Sequence, residues 1–196
     1  MLPEPIKKFI DFFSDLPSIG PRQATRLAFF LINQGKNFIT NLSGAVAGLA
    51  NIKLCAECFF VHQNKGELCN ICSNDKRDSE IVAIIEKESE LLSLEKTGKF
   101  NGRYFIIGEL KKDGILSDAQ KMKLDYLKRR RPEGIKETII ATNPTIYGDL
   151  SAHAIEMELR GWAKKITRLG RGLPTGGELE FSDPDTLGAA VENRKS

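Results

Sequence analysis

The sequence predicts an α+β chain built from several parts, and three observations support this prediction. Apolar residues recur at helical spacing near the N-terminus, four cysteines fall between residues 55 and 72, and strand-like and helix-like segments alternate after them. A chain of 196 residues is long enough for one or two domains with a real hydrophobic core.

The composition is that of an ordinary globular protein. Hydrophobic residues make up 41% and charged residues 28% of the chain, which excludes a mainly disordered or collagen-like protein. No apolar run approaches the ~20 residues that a membrane span needs, and the charged N-terminal stretch does not have the pattern of a signal peptide. We therefore expect a cytoplasmic protein with reduced thiols and no membrane partner.

The basic side chains are concentrated in two places, although the net charge is only +3. Residues 1–53 carry six basic and three acidic side chains, and residues 121–131 carry six basic and one acidic. Such patches can bind phosphate locally. For residues 121–131 the alternative is a solvated helix end, and the sequence favours neither interpretation.

The four cysteines form the strongest motif in the chain. Cys55 and Cys58 make one C-x-x-C pair, and Cys69 and Cys72 make a second pair ten residues later. Two such turns build the four-sulfur site that Zn²⁺ prefers, with iron as the open alternative, while a reducing compartment disfavours disulfides. Because four thiolates leave no position for water, we expect a structural Zn²⁺ site. His62 is expected in an exposed loop and not as a ligand.

Two helices are predicted at the N-terminus. Residues 6–16 are apolar at helical spacing, Pro17 and Gly20 end this helix, and Pro21 suits the first turn of the next one. Two helices joined around Gly20 resemble the helix-hairpin-helix module, although the usual module has glycine where this chain has Ser18.

The chemistry of that module is phosphate binding. Free backbone N–H groups at a helix N-terminus meet a phosphate, and nearby arginines add positive charge. Arg22 and Arg26 are one helical turn apart and are the candidate DNA ligands. The alternative is a plain helical hairpin for packing or dimerisation.

Strands and helices alternate from residue 81 onward. The patterns predict strands over 81–86, 103–108, 138–142 and 165–169, and helices over 89–96, 118–130 and 150–163. This alternation favours a mostly parallel sheet, whose functional residues lie beyond the carboxyl ends of the strands. Glu86 and the segment 143–149 are predicted to lie at such ends.

The stretch ATNPTIYGD, together with a glutamate that closes an earlier strand, resembles a Toprim domain. In type IA topoisomerases the corresponding stretch reads ATDPDREGE. Asn143 and Thr145 stand where those enzymes carry two aspartates, and Tyr147 and Asp149 stand where they carry two glutamates. Since Mg²⁺ needs anionic oxygen ligands, we expect a Toprim scaffold without phosphoryl-transfer chemistry. The alternative is a Mg²⁺-dependent nuclease or phosphotransferase that uses Glu86 and Asp149.

The C-terminal stretch RLGRGLPTGGELEFSD is rich in glycine. Gly177 is followed by Glu178 where a phosphate-binding P-loop needs Lys and then Ser or Thr, so nucleotide binding is not supported. A short terminal helix is predicted over residues 185–192.

The order of these parts resembles the RecR family of bacterial recombination mediators. The most specific stretches are LPSIGPRQATRLAF, ATNPTIYGD and RLGRGLPTGGELEFSD, the last of which is similar to the family's Walker B-like segment. The resemblance implies four parts: a helix-hairpin-helix domain for DNA binding and oligomerisation over 1–53, a four-cysteine zinc finger over 54–76, a Toprim domain over 77–171, and a Walker B-like segment with a helix over 172–196.

The resemblance also implies a non-enzymatic role in recombinational DNA repair. Members of the family form ring-shaped tetramers that can encircle DNA, and they act with RecO, and in some lineages RecF, to load RecA on single strands. On this basis Arg22 and Arg26 would face double- or single-stranded DNA. Glu86, Tyr147 and Asp149 would form the face that binds RecO.

This chain departs from the family pattern at three places. Phe59 stands where the family often has glycine, and Tyr147 stands where it usually has glutamate. The stretch 108–118 is shorter than usual. These departures bear on the shape of the cysteine turn and on partner contacts.

Overall fold

The computed structural model describes residues 2–194, and the chain divides into two compact units, Met1–Ile52 and Lys53–Ser196. Each unit is described by itself. Among residues 2–194 no helix has the length and apolar character to cross a membrane.

The N-terminal unit is helical. It contains α1 (Glu4–Ser14), α2 (Pro21–Gln34), α3 (Lys36–Gly48) and a 3-10 turn (Leu49–Asn51). Pro21 occupies the first turn of α2, and the Gln23 side chain accepts a hydrogen bond from the Gly20 N–H at 3.1 Å, which fixes the start of the helix. The hairpin of α1 and α2 therefore forms as predicted, whereas α3 was not predicted.

The larger unit begins with a small antiparallel hairpin that carries the cysteines and continues as an α/β sheet. Its strands are β1 (Lys53–Leu54), β2 (Val61–His62), β3 (Asp78–Ile85), β4 (Gly102–Ile106), β5 (Ile135–Ile140) and β6 (Ala163–Arg168). Its helices are α4 (Glu88–Lys96), α5 (Asp118–Arg130), α6 (Ile146–Leu159) and α7 (Pro184–Glu192), with a 3-10 turn at Leu179–Phe181.

The sheet of the larger unit is parallel throughout. Its strand order is β4-β3-β5-β6, and Ile84 of β3 pairs with Phe105 of β4 on one side and Ile140 of β5 on the other. The carboxyl ends of β3 and β5 therefore lie side by side. This arrangement confirms the predicted parallel sheet and the α+β class.

Side chains of β3 alternate between the two faces of the sheet, as the twofold repeat of a strand requires. Val82 and Ile84 enter a cluster that contains residues of α5 and α6, whereas Ala83 and Ile85 enter a second cluster with Leu91 of α4. Both faces are covered at β3 and β4, which explains why residues 81–85 and 104–106 read as continuous apolar runs.

The largest difference from the predicted boundaries concerns α6. We predicted this helix over 150–163, but it spans Ile146–Leu159. The Thr145 hydroxyl accepts a hydrogen bond from the Gly148 N–H at 3.1 Å and caps the helix there. At the other end Arg160 is extended and Gly161 has a φ of 82°, so the helix stops four residues early.

Candidate metal centre and nucleic-acid interface

The four cysteines converge on one point. All four are buried, and their sulfur atoms lie within 4.8 Å of one another. The Sγ atoms of Cys58 and Cys69 are 3.6 Å apart, and a tetrahedral Zn²⁺ with Zn–S bonds of ~2.3 Å places its sulfurs about 3.8 Å apart. The residues therefore fit a metal ion such as zinc.

Hydrogen bonds around the cysteines favour thiolates. The Phe60 N–H donates to Cys58 Sγ at 3.5 Å, and the Cys69 N–H donates to Cys55 Sγ at 3.3 Å. Hydrogen bonds among the thiols hold the pKa of Cys69 below its ordinary value and raise the pKa values of Cys58 and Cys72. The backbone N–H donors would stabilise the deprotonated cysteines that metal binding requires.

Phe59 has a backbone conformation that side chains rarely adopt. Its φ is 63°, in the left-handed region that favours glycine. The ring is held by Phe105, at a centroid distance of 5.4 Å, and by Lys123, whose Nζ lies 4.7 Å from the ring centroid. The departure from glycine at this position thus adds an aromatic contact between the cysteine hairpin and the sheet.

The expectation that His62 lies in an exposed loop was wrong, although the convergent ligand atoms are those of the four cysteines and not of His62. This residue is buried in β2, with 9% of its surface exposed, and its Nδ1 accepts a hydrogen bond from the Asn64 N–H at 3.2 Å. The short hairpin pairs β2 with β1, which places His62 opposite Lys53 and directs its ring inward.

The N-terminal helical hairpin presents Arg22 and Arg26 to solvent. Both side chains are exposed on the first turns of α2, and that first turn carries no acidic residue. The positive end of the helix dipole does not favour cations. An external anion would therefore be stabilised here by the backbone N–H groups and by both guanidinium groups.

The turn before α2 contains the second unusual backbone conformation. Ser18 has a φ of 64°, and the Ile19 N–H donates to the Leu16 carbonyl at 3.1 Å. This conformation explains why the helix-hairpin-helix module usually has glycine at this position.

Glu86 lies at the carboxyl end of β3 and is held by the protein. Its Oε1 accepts a hydrogen bond from the Leu110 N–H at 3.1 Å, and only 11% of its side chain is exposed. The Asn143 amide donates to Glu86 Oε2 at 3.5 Å and to Glu90 Oε1 at 3.2 Å. A neutral amide thus bridges two carboxylates at a position where Toprim enzymes carry an aspartate.

Asp149 is engaged by two arginines. Its Oδ1 accepts hydrogen bonds from Arg171 and, at 2.6 Å, from Arg168. These contacts, that of Arg171 above all, hold the pKa of Asp149 below its usual range. The carboxylate is therefore ionised and already paired with cations.

The structure does not bring Glu86, Tyr147 and Asp149 into one ligand cluster. Among residues 2–194, the cysteines are the group of three or more His, Cys, Asp or Glu side chains whose ligand atoms converge. Tyr147 is half exposed, and Lys112 Nζ lies 6.0 Å from its ring centroid.

Sequence reasoning missed the partners of these carboxylates. Arg168 and Arg171 stand in the quoted stretch RLGRG, but nothing in that pattern assigned them to Asp149. The pairing arises because β6 neighbours β5 in the sheet, which brings the end of β6 beside the start of α6.

The first turn of α6 requires glycine at position 148. A Cβ atom at this position would lie 1.9 Å from the Asn143 carbonyl oxygen. The backbone of ATNPTIYGD therefore closes on itself in a way that only glycine permits.

A helical hairpin, a four-cysteine hairpin and a four-stranded parallel sheet together define a multi-part α+β protein. Family models agree: the model of the RecR helix-hairpin-helix matches residues 6–49, that of the Toprim domain matches 80–170, and that of the RecR C-terminal region matches 172–195.

Curated relatives match along the whole chain. The chain is 38% identical over 202 residues to Recombination protein RecR of Roseiflexus castenholzii, covering 100% of this chain and 95% of the relative. It is 35% identical over 198 residues to the protein of that name from Chloroflexus aurantiacus, covering 100% and 96%. This chain belongs to the RecR family.

Proposed function

We propose that this protein is a non-enzymatic, DNA-binding mediator of recombinational DNA repair that acts in the cytoplasm. The observation that carries the proposal is its whole-length similarity to relatives named Recombination protein RecR. In the proposed role it forms a ring-shaped tetramer around DNA. With RecO, and in some lineages RecF, it loads RecA on single strands.

The DNA contact is assigned to Arg22 and Arg26. Support comes from their exposure on the first turns of α2, beside free backbone N–H groups and without a nearby acidic residue in that turn. Neither contact depends on base identity, so single and double strands are both bound through phosphate.

The absence of catalysis is supported by how the carboxylates are used. Mg²⁺ is usually held by one or two carboxylates together with substrate phosphates. Here Asn143 supplies an amide in place of a carboxylate, and Arg168 and Arg171 already neutralise Asp149. A Toprim nuclease would need Asp149 to release both arginines.

Self-association is supported by the apolar surface of the N-terminal unit. Phe12, Leu49 and Val46 are 76%, 67% and 57% exposed. Large apolar side chains exposed on a small helical unit favour burial against another copy.

Zn²⁺ is the metal that we assign to Cys55, Cys58, Cys69 and Cys72. Buried sulfurs at tetrahedral spacing and a set of four thiolates support it. With four protein ligands the ion would hold the hairpin together and would not bind substrate.

The RecO contact is assigned to the surface around Glu86, Tyr147 and Asp149. Tyr147 is half exposed, and 40% of the Asp149 side chain is exposed, so both are available to a partner. Glu86 contributes mainly by positioning the backbone of Leu110.

DNA binding is tested by fluorescence anisotropy with labelled single-stranded and duplex oligonucleotides. The variant Arg22→Glu/Arg26→Glu should bind at least ~10-fold more weakly, because phosphate contacts dominate affinity. The control Lys7→Glu/Lys8→Glu makes the same charge change on exposed residues of α1 and should bind nearly as the parent does. Equal losses in both variants, or none in either, would contradict the assignment.

Catalysis is tested by incubating the protein with supercoiled DNA and Mg²⁺ or Mn²⁺. We expect the DNA to stay supercoiled. Nicking or relaxation that requires the divalent ion and disappears in Glu86→Gln would establish the enzymatic alternative instead.

A further inference from the structure

Three arginines are paired with one carboxylate beside the cysteine hairpin, and a fourth lies next to them. Arg103 Nη1 donates to Glu57 Oε2 at 2.7 Å, Arg131 Nη2 lies 3.4 Å from the same oxygen, and Arg130 Nη2 lies 3.6 Å from Oε1. Arg129 lines the same cavity of about 400 Å³. We call Arg103, Arg129, Arg130 and Arg131 the arginine cluster.

The cluster holds more positive charge than its surroundings neutralise. Arg103 makes the shortest ion pair with Glu57. Of the other three arginines, Arg131 has the most buried side chain, and it lies near Cys72. The C-terminal end of α5 supplies roughly half a negative charge. Four thiolates and one Zn²⁺ sum to a charge of −2, and this centre acts on the mostly buried Arg131 through Cys72. Arg129 and Arg130 are therefore the members of the cluster with the least compensation.

The least compensated arginines are the accessible ones. Arg129 is exposed, and 48% of the Arg130 side chain is exposed, whereas Arg103 and Arg131 have 15% and 20% of their side chains exposed. Within residues 2–194, Arg129 forms no ion pair with a carboxylate. The buried pair thus anchors the site and the exposed pair faces a ligand.

The cluster is held in place by contacts that do not use its guanidinium groups. Tyr126 OH donates to the Ala56 carbonyl at 2.8 Å, which joins α5 to the cysteine hairpin. Trp162 Nε1 donates to the Arg131 carbonyl at 2.8 Å and fixes the backbone after α5. Because these contacts fix the backbone at the end of α5, the site is preformed, and little conformational entropy is lost when a ligand binds.

We propose that Arg129 and Arg130 form a second contact for DNA-backbone phosphate, separate from Arg22 and Arg26. A phosphate diester matches the site because guanidinium forks bind phosphate oxygens in pairs, and the Arg130 guanidinium is held over the Tyr126 ring at 5.8 Å from its centroid. This inference rests on the proposed DNA-binding function.

The test measures the salt dependence of DNA affinity with the full-length, metal-loaded protein. Each phosphate contact contributes a slope of about 0.9 in log K against log salt for duplex DNA. The variant Arg129→Gln/Arg130→Gln should therefore reduce the slope by about 1.8 and weaken binding at low salt. Arg129→Gln alone removes an exposed side chain and should reduce it by about 0.9.

The matched control is Lys136→Gln/Lys164→Gln, which removes two exposed positive charges elsewhere in the same unit. Its slope should equal that of the parent. An equal decrease in the control would mean that only net charge matters, and it would overturn the proposal.

The remaining outcomes distinguish a failure of this inference from a failure of the proposed function. If the parent binds DNA and the arginine variants keep its slope, this inference fails while the proposed function stands. If the arginine variants lose zinc or melt lower with an unchanged slope, the cluster only counterbalances the cysteine centre, and the inference is again overturned. If the parent does not bind DNA, the proposed function itself fails.

Discussion

Ser18 and Phe59 are the two non-glycine residues with positive φ in the part of the chain that the structure describes. Both stand where the resemblances drawn from the sequence lead us to expect glycine. The departures from the family pattern, visible in the sequence, thus mark positions of backbone strain. The Phe59 ring packs against other residues, whereas the Ser18 side chain does not. Substitution by glycine should therefore lower the stability at Phe59 and raise it at Ser18.

Ser18→Gly should stabilise the protein by about 0.5–1 kcal/mol. The left-handed conformation costs a side chain ~1–2 kcal/mol, and the extra freedom of unfolded glycine offsets part of the gain. Urea denaturation measures the change. Ser43→Gly, on an exposed position of α3, is the control and should destabilise by about 0.5–1 kcal/mol. A destabilised Ser18→Gly variant would contradict the argument.

Phe59→Gly should destabilise the protein by about 1–2 kcal/mol even though it relieves the same strain. The ring is about half buried and packs against Phe105 and Lys123, so the packing that is lost exceeds the strain relieved. Denaturation of the metal-loaded protein measures this, and a gain in stability would show that the ring contributes little.

Prediction from sequence was most effective for residues whose chemistry is local. Two C-x-x-C pairs define their site by spacing alone, whereas the partners of Asp149 come from β6 and the segment after it. Contacts across a sheet depend on strand order, which the spacing of residues does not encode. The same limit applies to Glu57 and the arginine cluster.

Three elements of the larger unit are joined by a buried polar contact. Arg77, just before β3, donates to Glu95 of α4 at 2.9 and 2.5 Å, and Tyr104 of β4 donates to Glu95 at 2.7 Å. Burial by itself raises the pKa of Glu95, but the hydrogen bonds from Arg77 and Tyr104 outweigh it and leave that pKa below the ordinary 4.5. The ionised carboxylate therefore stabilises the fold.

Tyr104→Phe should cost about 1.5 kcal/mol at pH 7, because it removes a hydrogen bond to a charged group. A carboxylate with a lowered pKa contributes its stability above its ordinary pKa and loses it as the pH falls through the folded value. The difference between variant and parent should therefore shrink as the pH falls below 4.5.

The control for this pH dependence is Tyr126→Phe. Tyr126 OH donates to a neutral carbonyl, that of Ala56. The stability that Tyr126→Phe loses in urea denaturation should stay constant across the same pH range. A pH-independent cost for Tyr104→Phe would mean that Glu95 is not the charge that matters.

Cys58→Ser should lower zinc content and thermal stability together, because structural metal binding is coupled to folding. A loss of several kcal/mol corresponds to a decrease in Tm of roughly 10 °C for a chain of this size. Metal analysis and calorimetry measure the two effects. Ser73→Ala, beside Cys72 but outside the sulfur cluster, should change neither, and an unchanged Tm in Cys58→Ser would contradict a metal-held hairpin.

Elements with a strong apolar period were predicted well and the others were missed. Strands β3 and β4 of the parallel sheet stand out because their side chains are buried on both faces. In contrast, α3 has no buried residue within the described structure and carries an internal glycine, Gly44, so its sequence gives a weak helical signal. The two-residue strands β1 and β2 are too short to form any pattern.

At the scale of the whole molecule, the exposed apolar residues of the N-terminal unit favour assembly. Light scattering should give a mass roughly four times the 21.8 kDa of the chain. Phe12→Ser/Val46→Ser should shift the protein toward smaller species, whereas Met157→Ser, an exposed apolar residue of the other unit, should not. A monomer at all concentrations would contradict encirclement of DNA.

The Asn143 amide has a consequence for how the protein responds to its surroundings. It bridges Glu86 and Glu90 as a covalently attached, uncharged group, so no chelator can extract it and no change in the supply of magnesium can alter its occupancy. Sensitivity to metal depletion should therefore be confined to the cysteine hairpin, and the surface that we propose for partner binding should keep its form when cellular magnesium rises or falls.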